Sequence, residues 1–194
     1  MARYTGPKWK ISRRENADVY GSEKWRRRPT APGEHPVSRG RPSEYAVQFR
    51  EKQKVKRSYG LLEKQFRNLY KEAIRRKGNT GTTLLQLLEM RLDNVVYRLG
   101  LAKTRNQARQ FVTHGHITVN GQKVDIPSAQ VSVGDEISYS ARMAKSDIAK
   151  LIKAENKGMQ IPQWLLGGQV KSVPTRDMMD QSIREQLIIE LYSR

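Results

Sequence analysis

The chain has 194 residues, with 37 Lys and Arg against 19 Asp and Glu, a formal net charge of +18, and no cysteine. So basic a chain repels itself when compact unless a polyanion neutralises it, which points first to nucleic acid and next to an anionic membrane surface. The missing thiols exclude disulfides, thiolate catalysis and cysteine-ligated zinc; no stretch approaches the ~20 apolar residues that span a bilayer, and the opening MARYTGPKWK lacks the apolar run of a signal peptide.

Charge is uneven along the sequence. Residues 1–60 hold 16 basic and 6 acidic side chains, so more than half of the excess lies in the first third. A solvated tail can carry such charge for solubility alone. Here, however, Arg26, Arg27 and Arg28 are contiguous, and Tyr4, Trp9, Tyr20 and Trp25 are interleaved with the basic residues. Exposed rings cost solubility, whereas beside RNA they stack on bases. Pro7, Pro29, Pro32, Pro36 and Pro42 break helices, and Gly6, Gly21, Gly33 and Gly40 add turns. Residues 1–43 therefore read as an extended, irregular basic arm that takes its shape on a partner.

Ser43 then caps a helix ended by Gly60, with Tyr45, Phe49, Gln53 and Lys56 on one strip and Arg50, Lys52, Lys54 and Arg57 spread over the rest. With so little apolar surface, its exposed face is expected to meet phosphates. A second helix follows near Glu63–Arg76, with Phe66, Leu69, Tyr70, Ala73 and Ile74 at helical spacing. Thr82 or Thr83 is expected to cap a third, whose stripe runs through Leu84, Leu88, Leu92, Val95, Val96 and Leu99 to Gly100. Thr104 and Gln107 form a capping box for a short helix to about Thr113. It buries Ala108, Phe111 and Val112, so Arg105 and Arg109 should point outwards. The pair makes a helix–turn–helix. In HITVNGQKVDI, Asn120-Gly121 is the favoured type I′ hairpin pair. A second strand pair is expected around Gly134-Asp135, with Val131 and Val133 before it and Ile137 and Tyr139 after. Residues 144–157 read as a helix, 159–181 as a loop anchored by Trp164 and Leu165, and Ser182 with Glu185 as a capping box for a last helix carrying Leu187, Ile188 and Leu191.

Catalytic chemistry is poorly supported. Of the three histidines, His35, His114 and His116, the last two flank Gly115, but no carboxylate cluster accompanies them and metal ligation needs three or four ligands. They fit better as a helix end and strand start from which an imidazole reaches a base or phosphate. Asp93, between Arg91 and Arg98, suits a structural ion pair, and Asp135 after Gly134 suits a turn. No Gly-rich phosphate loop, serine-nucleophile motif or HExxH pattern occurs. Arg105 and Arg109 at the helix–turn–helix, and Lys52, Lys54, Lys56 and Arg57 on the basic helix, are candidate phosphate contacts, arginine for bidentate and lysine for point-charge contact.

The run RLDNVVYRLGLAKTRNQARQFVTHGHITVNGQKVDIPS resembles the S-four RNA-binding module. MARYTGPKWKISRRE, SEYAVQFREKQKVKRSYGLLEKQFRN and EQLIIELYSR are similar to the bacterial and organellar small-subunit ribosomal protein family that gives the module its name. The resemblance covers nearly the whole chain and is weakest at about 16–42 and 141–181. It implies an α+β fold. A mostly helical domain, residues 44–90 joined by 170–194, would carry the inserted S-four module, helix–turn–helix plus small antiparallel sheet, with the helix and loop that follow it, within residues 91–169; the basic arm would be residues 1–43.

The resemblance also implies a structural role without enzymatic activity: primary binding of the 5′ domain of small-subunit rRNA, which nucleates assembly, and a contribution to translational accuracy with ribosomal protein S-five. Other implied features are mRNA as a further partner where it enters the subunit, no membrane, no small-molecule substrate, and residence in a cytoplasmic or organellar ribosome. Many family members bind zinc through cysteines near the N-terminus; this chain has none, so no cofactor or metal is expected. The RNA-facing residues it implies are Arg3, Lys8, Lys10, Arg13 and Arg14 in the arm, Arg50, Lys54 and Arg57 on the basic helix, and Arg105, Arg109, His114 and His116 in the module. A pseudouridine synthase would need a catalytic domain with its own acid, for which the sequence shows no candidate. A transient RNA chaperone would associate with ribosomes substoichiometrically. A membrane-surface role lacks an amphipathic helix with bulky apolar residues opposite its charges.

Overall fold

The computed structural model describes residues 4–34, 40–156 and 158–193. The chain forms two compact units, residues 1–84 with 181–194, and residues 85–180. Arg3, His35, Pro36 and the last residue of the 144–157 helix lie outside the described residues.

In the first unit, the segment expected to be irregular carries helix α1 (Lys8–Glu15) and a 3₁₀ turn (Glu23–Arg27). Proline does not prevent this, because Pro7 stands at the N-cap of α1, where its missing N–H and fixed φ are tolerated. Ile11, Val19 and Trp25 are buried, with α1 packed against both the 3₁₀ turn and the following helix. Arg13 donates to the carbonyls of Thr30 (2.8 Å) and Ala31 (3.5 Å), and Arg14 donates to that of Pro32 (2.8 Å). These bonds give the carbonyls of the proline-rich stretch donor partners in place of a backbone ladder.

Helix α2 (Glu44–Ser58) starts at Ser43, whose hydroxyl accepts from the Ala46 N–H. Its buried residues are Gln48, Lys52, Gln53, Val55 and, just beyond the helix, Tyr59. The strip expected from sequence holds at Gln53 and shifts elsewhere: Tyr45 is exposed, and the aliphatic stem of Lys52 takes an inward place. Helix α3 (Glu63–Arg75) buries Phe66, Tyr70 and Ala73, while Ile74 is exposed. Tyr192, near the end of α9 (Glu185–Tyr192), stacks on Tyr70 and Phe66 at ring separations of 4.4 and 6.3 Å. The expected Ser182 cap gives way to Arg184 as N-cap, whose N–H donates to Glu51.

The long apolar stripe from Leu84 to Leu99 is two helices, α4 (Thr80–Glu89) and α5 (Leu92–Arg98). Asn79, rather than Thr82 or Thr83, caps α4: its side-chain oxygen accepts from the N–H groups of Gly81 and Thr82. The stripe breaks because Arg91 is extended and the freed N–H groups of Leu92 and Asp93 donate to the carbonyls of Ala129 and Pro127, while Val131 donates to Met90. No local signal marks that break, since its partners lie some forty positions away.

The second unit packs α5 against α6 (Arg105–Thr113) and a three-stranded antiparallel sheet of order β2-β1-β3. The strands are β1 (Ile117–Val119), β2 (Gln122–Lys123) and β3 (Ile137–Tyr139). Asn120 and Gly121 take φ of 51° and 78°, as the type I′ hairpin requires. The strand pair expected around Gly134-Asp135 does not form; β3 pairs with β1 instead, Ile117 facing Tyr139, and residue 130 bridges to Arg91. The helix expected over 144–157 forms as α8 (Asp147–Glu155), capped by Ser146, and a short unexpected helix, α7 (Ala141–Ala144), capped by Ser140, precedes it. The segment read as a loop contains a hairpin of β4 (Leu165–Leu166) and β5 (Gln169–Val170), with Trp164 and Leu165 fully buried as anchors. The core joins Leu92, Val95, Val96, Ala108, Val112, Ile117, Ile137, Ile152 and Trp164. Among the described residues no helix is long and apolar enough to cross a membrane.

Candidate nucleic-acid interface

The cations that the sequence singles out fall into two groups: those already engaged by carboxylates or carbonyls of this chain, and those that are not. On α2 every one is engaged. Arg50 and Arg57 both donate to Glu15, whose side chain is fully buried. Burial raises the Glu15 carboxyl above its ordinary pKa, and the opposing attraction of Arg57, Arg50 and Arg14 does not outweigh it. Lys52 and Lys56 donate to the two oxygens of Glu63 at 2.7 and 2.8 Å. Burial alone would raise Glu63, but those two bonds, together with one from Tyr192 at 3.0 Å, bring it down to about 2. Lys54 donates to the Ser182 carbonyl at 2.6 Å and pairs with Glu51. In the arm, Lys8 lies 6.0 Å from the Tyr20 ring and Lys10 is exposed, while Arg13 and Arg14 hold the carbonyls described above.

The second unit corrects the expected orientation of the α6 arginines. Arg109 is buried and pairs with Asp93 Oδ2 at 3.5 Å; Arg91 donates to both oxygens of the same carboxylate, at 3.1 and 2.9 Å. Arg105 donates to the side chain of Asn94 at 2.9 Å and lies over the Tyr97 ring at 4.7 Å. Asn94 in turn donates to Glu89, which Arg98 holds with two bonds. The expectation that both arginines point outwards fails for Arg109, and Arg105 is only partly exposed: α5 packs against α6, and its Asp93 carboxylate and Asn94 amide receive the Arg109 and Arg105 guanidiniums. Asp93 thus makes the ion pair expected of it with Arg91, while Arg98 goes to Glu89.

Thr104 caps α6 by accepting from the Gln107 N–H, and Gln107 returns its bond to the N–H of Lys103, one residue earlier than in a capping box. At the other end of α6, Gly115 has φ of 68° and turns the chain into β1. His114 is exposed, and its ring meets that of His116 edge-on at 5.9 Å. Burial, then the charges of His114, Arg142 and Lys123, hold the His116 imidazole below its ordinary pKa. Lys123 and Arg142 were not singled out from sequence. The hairpin register supplies a signal for the first: with Asn120-Gly121 as the turn, Lys123 faces Thr118. Among the described residues no group of three or more His, Asp or Glu is placed to hold a metal ion.

Residues 3–89 match the ribosomal protein S4/S9 N-terminal domain, and residues 90–137 match the S4 domain. Over the full length of both chains, the sequence is 51% identical to the small ribosomal subunit protein uS4 of Herpetosiphon aurantiacus and 51% identical to that of Opitutus terrae. Over the same full coverage it is 48% identical to that of Chromobacterium violaceum.

Proposed function

Because the chain belongs to the small ribosomal subunit protein uS4 family, we propose that it is a structural, non-catalytic component of the small ribosomal subunit that binds rRNA. The observation that carries this is the full-length identity of about half to uS4 proteins, joined to a cationic surface suited to a polyanion. The reading extends to primary binding of the 5′ domain of small-subunit rRNA early in assembly. It includes contact with ribosomal protein S-five that bears on accuracy, proximity to mRNA where it enters, and residence in a cytoplasmic or organellar ribosome. The family resemblance along the chain supports these finer assignments.

The proposed RNA-facing residues are Arg3, Lys8, Lys10, Arg13 and Arg14 in the arm, Arg50, Lys52, Lys54, Lys56 and Arg57 on α2, and Arg105, Arg109, His114 and His116 in the module. Those already bound to a carboxylate or carbonyl act with the donors left over; an arginine has five and a lysine three. Affinity then comes from counterion release and falls steeply with salt, and selectivity comes from RNA shape, since side chains cannot read the deep A-form groove. The test is binding of the purified chain to transcribed 5′ domain rRNA against scrambled RNA of equal mass at moderate salt. A large preference for the rRNA is expected; equal binding of both would refute the reading in favour of charge alone.

A further inference from the structure

Among the described residues, one cationic cluster in the second unit makes no ion pair with a carboxylate of this chain. Strand alternation puts Ile117 and Val119 toward the core side of β1 and leaves His116 and Thr118 on the other face. The register Thr118 to Lys123 places Lys123 on that same outward face, beside His116. Its chain lies across the Gly115 backbone: a Cβ added there would stand 2.6 Å from the Lys123 ammonium. The N–H of Ser140 donates to the His116 carbonyl at 2.8 Å, which ties the first turn of α7, and with it Arg142, to the same corner. His114 completes the group from the end of α6. Lys123, Arg142 and His114 are exposed, and among the described residues none of the four takes part in an ion pair. The contrast with the paired cations of α2 and α6 is direct. Like charges brought together without a counterion repel one another, and a phosphate relieves that repulsion.

We propose that His114, His116, Lys123 and Arg142 form a cradle for the phosphate backbone of RNA, with Lys123 and Arg142 as its principal charges. The proposal deepens the rRNA-binding reading above and rests on it. Arg142 supplies a bidentate fork and Lys123 a point charge, while the two imidazoles donate hydrogen bonds or stack at the margin.

The test uses the full-length chain and the same rRNA, comparing wild type with Lys123→Gln/Arg142→Gln over a series of salt concentrations. Losing two phosphate contacts should flatten the slope of log affinity against log salt by about 1.4 to 1.8. It should also weaken binding at moderate salt by about tenfold or more. Lys153→Gln, at an exposed position of α8, serves as control and should change neither affinity nor preference. As a second measurement, Lys123 in the wild-type complex should be protected from an amine-acylating reagent while Lys153 stays reactive. An unchanged slope and affinity in the double variant, or full labelling of Lys123 in the complex, overturns the cradle while the preference for rRNA survives. Loss of that preference in the wild type overturns the functional reading, and the cradle with it.

Discussion

Asp93→Asn should destabilise the second unit more than any surface charge change, and the structure sets the scale. The carboxylate is shared by Arg91 and Arg109, and the side chains of all three are at most 10% exposed. Removing the negative charge takes away the carboxylate that two buried guanidiniums share and offers one neutral acceptor in its place. Breaking a buried pair in this way costs about 3–5 kcal/mol, mostly from the uncompensated charge. For a chain of this length each kcal/mol moves the thermal midpoint by about 2–4 °C, so a fall of roughly 6–20 °C is expected. Thermal unfolding followed by far-ultraviolet circular dichroism reads this directly. Asp147→Asn, which removes a pair between side chains 69% and 91% exposed, should leave the midpoint unmoved, because exposed pairs gain little. A midpoint for Asp93→Asn within the scatter of that control would show that the Arg91–Asp93–Arg109 cluster is not the buried ionic lock described.

Two further outcomes follow from the first unit. The Glu63 carboxyl sits well below its unfolded value, at about 2, so its pairing contributes stability that is present above about pH 4.5 and is lost as pH falls through about 2. Glu63→Gln should therefore be less stable than wild type at neutral pH, and urea midpoints should converge as pH drops through that window; a constant gap down to pH 2 would contradict the assignment. Asn79→Ala removes the acceptor for two N–H groups at the start of α4 and should cost about 0.5–2 kcal/mol, seen as a lower urea midpoint at unchanged slope. No change would mean that the helix start is held by something other than Asn79.

Much of this fold is legible in the sequence because its signals are local. Ser43, Thr104, Asn120-Gly121 and Gly115 each fix their own turn or helix end through bonds to residues within a few positions. Trp164 and Leu165 are large and apolar enough to declare themselves as anchors. What escapes is set by partners far along the chain. The break between α4 and α5 depends on carbonyls at 127 and 129, and the partner of β3 is β1 rather than its own neighbour. The inward turn of Arg109 has the same origin. Periodicity assigns it a face of α6 but not what covers that face, and Asp93 lies sixteen positions away on another helix. The arm is the reverse case, where proline suggested irregularity and yet the segment carries α1 and a 3₁₀ turn and buries Ile11, Val19 and Trp25.

A count of basic residues is a poor guide to where a polyanion binds. Each cation of α2 already faces an acceptor, and two carboxylates are each shared by two cations, so an arriving phosphate meets a field partly cancelled at short range and must compete for donors in use. Such pairs hold long side chains in place and give the surface a fixed shape, which suits recognition of a folded RNA by its outline. Where no carboxylate intervenes, as around His116, the unbalanced charge is a cost to the free chain that a phosphate removes. Shape and affinity can thus reside in different parts of the same charge excess, with the paired cations setting the contour and the unpaired ones setting the salt dependence. Under this division, losing a paired α2 lysine disturbs the fold before it weakens RNA binding, and losing Lys123 does the opposite.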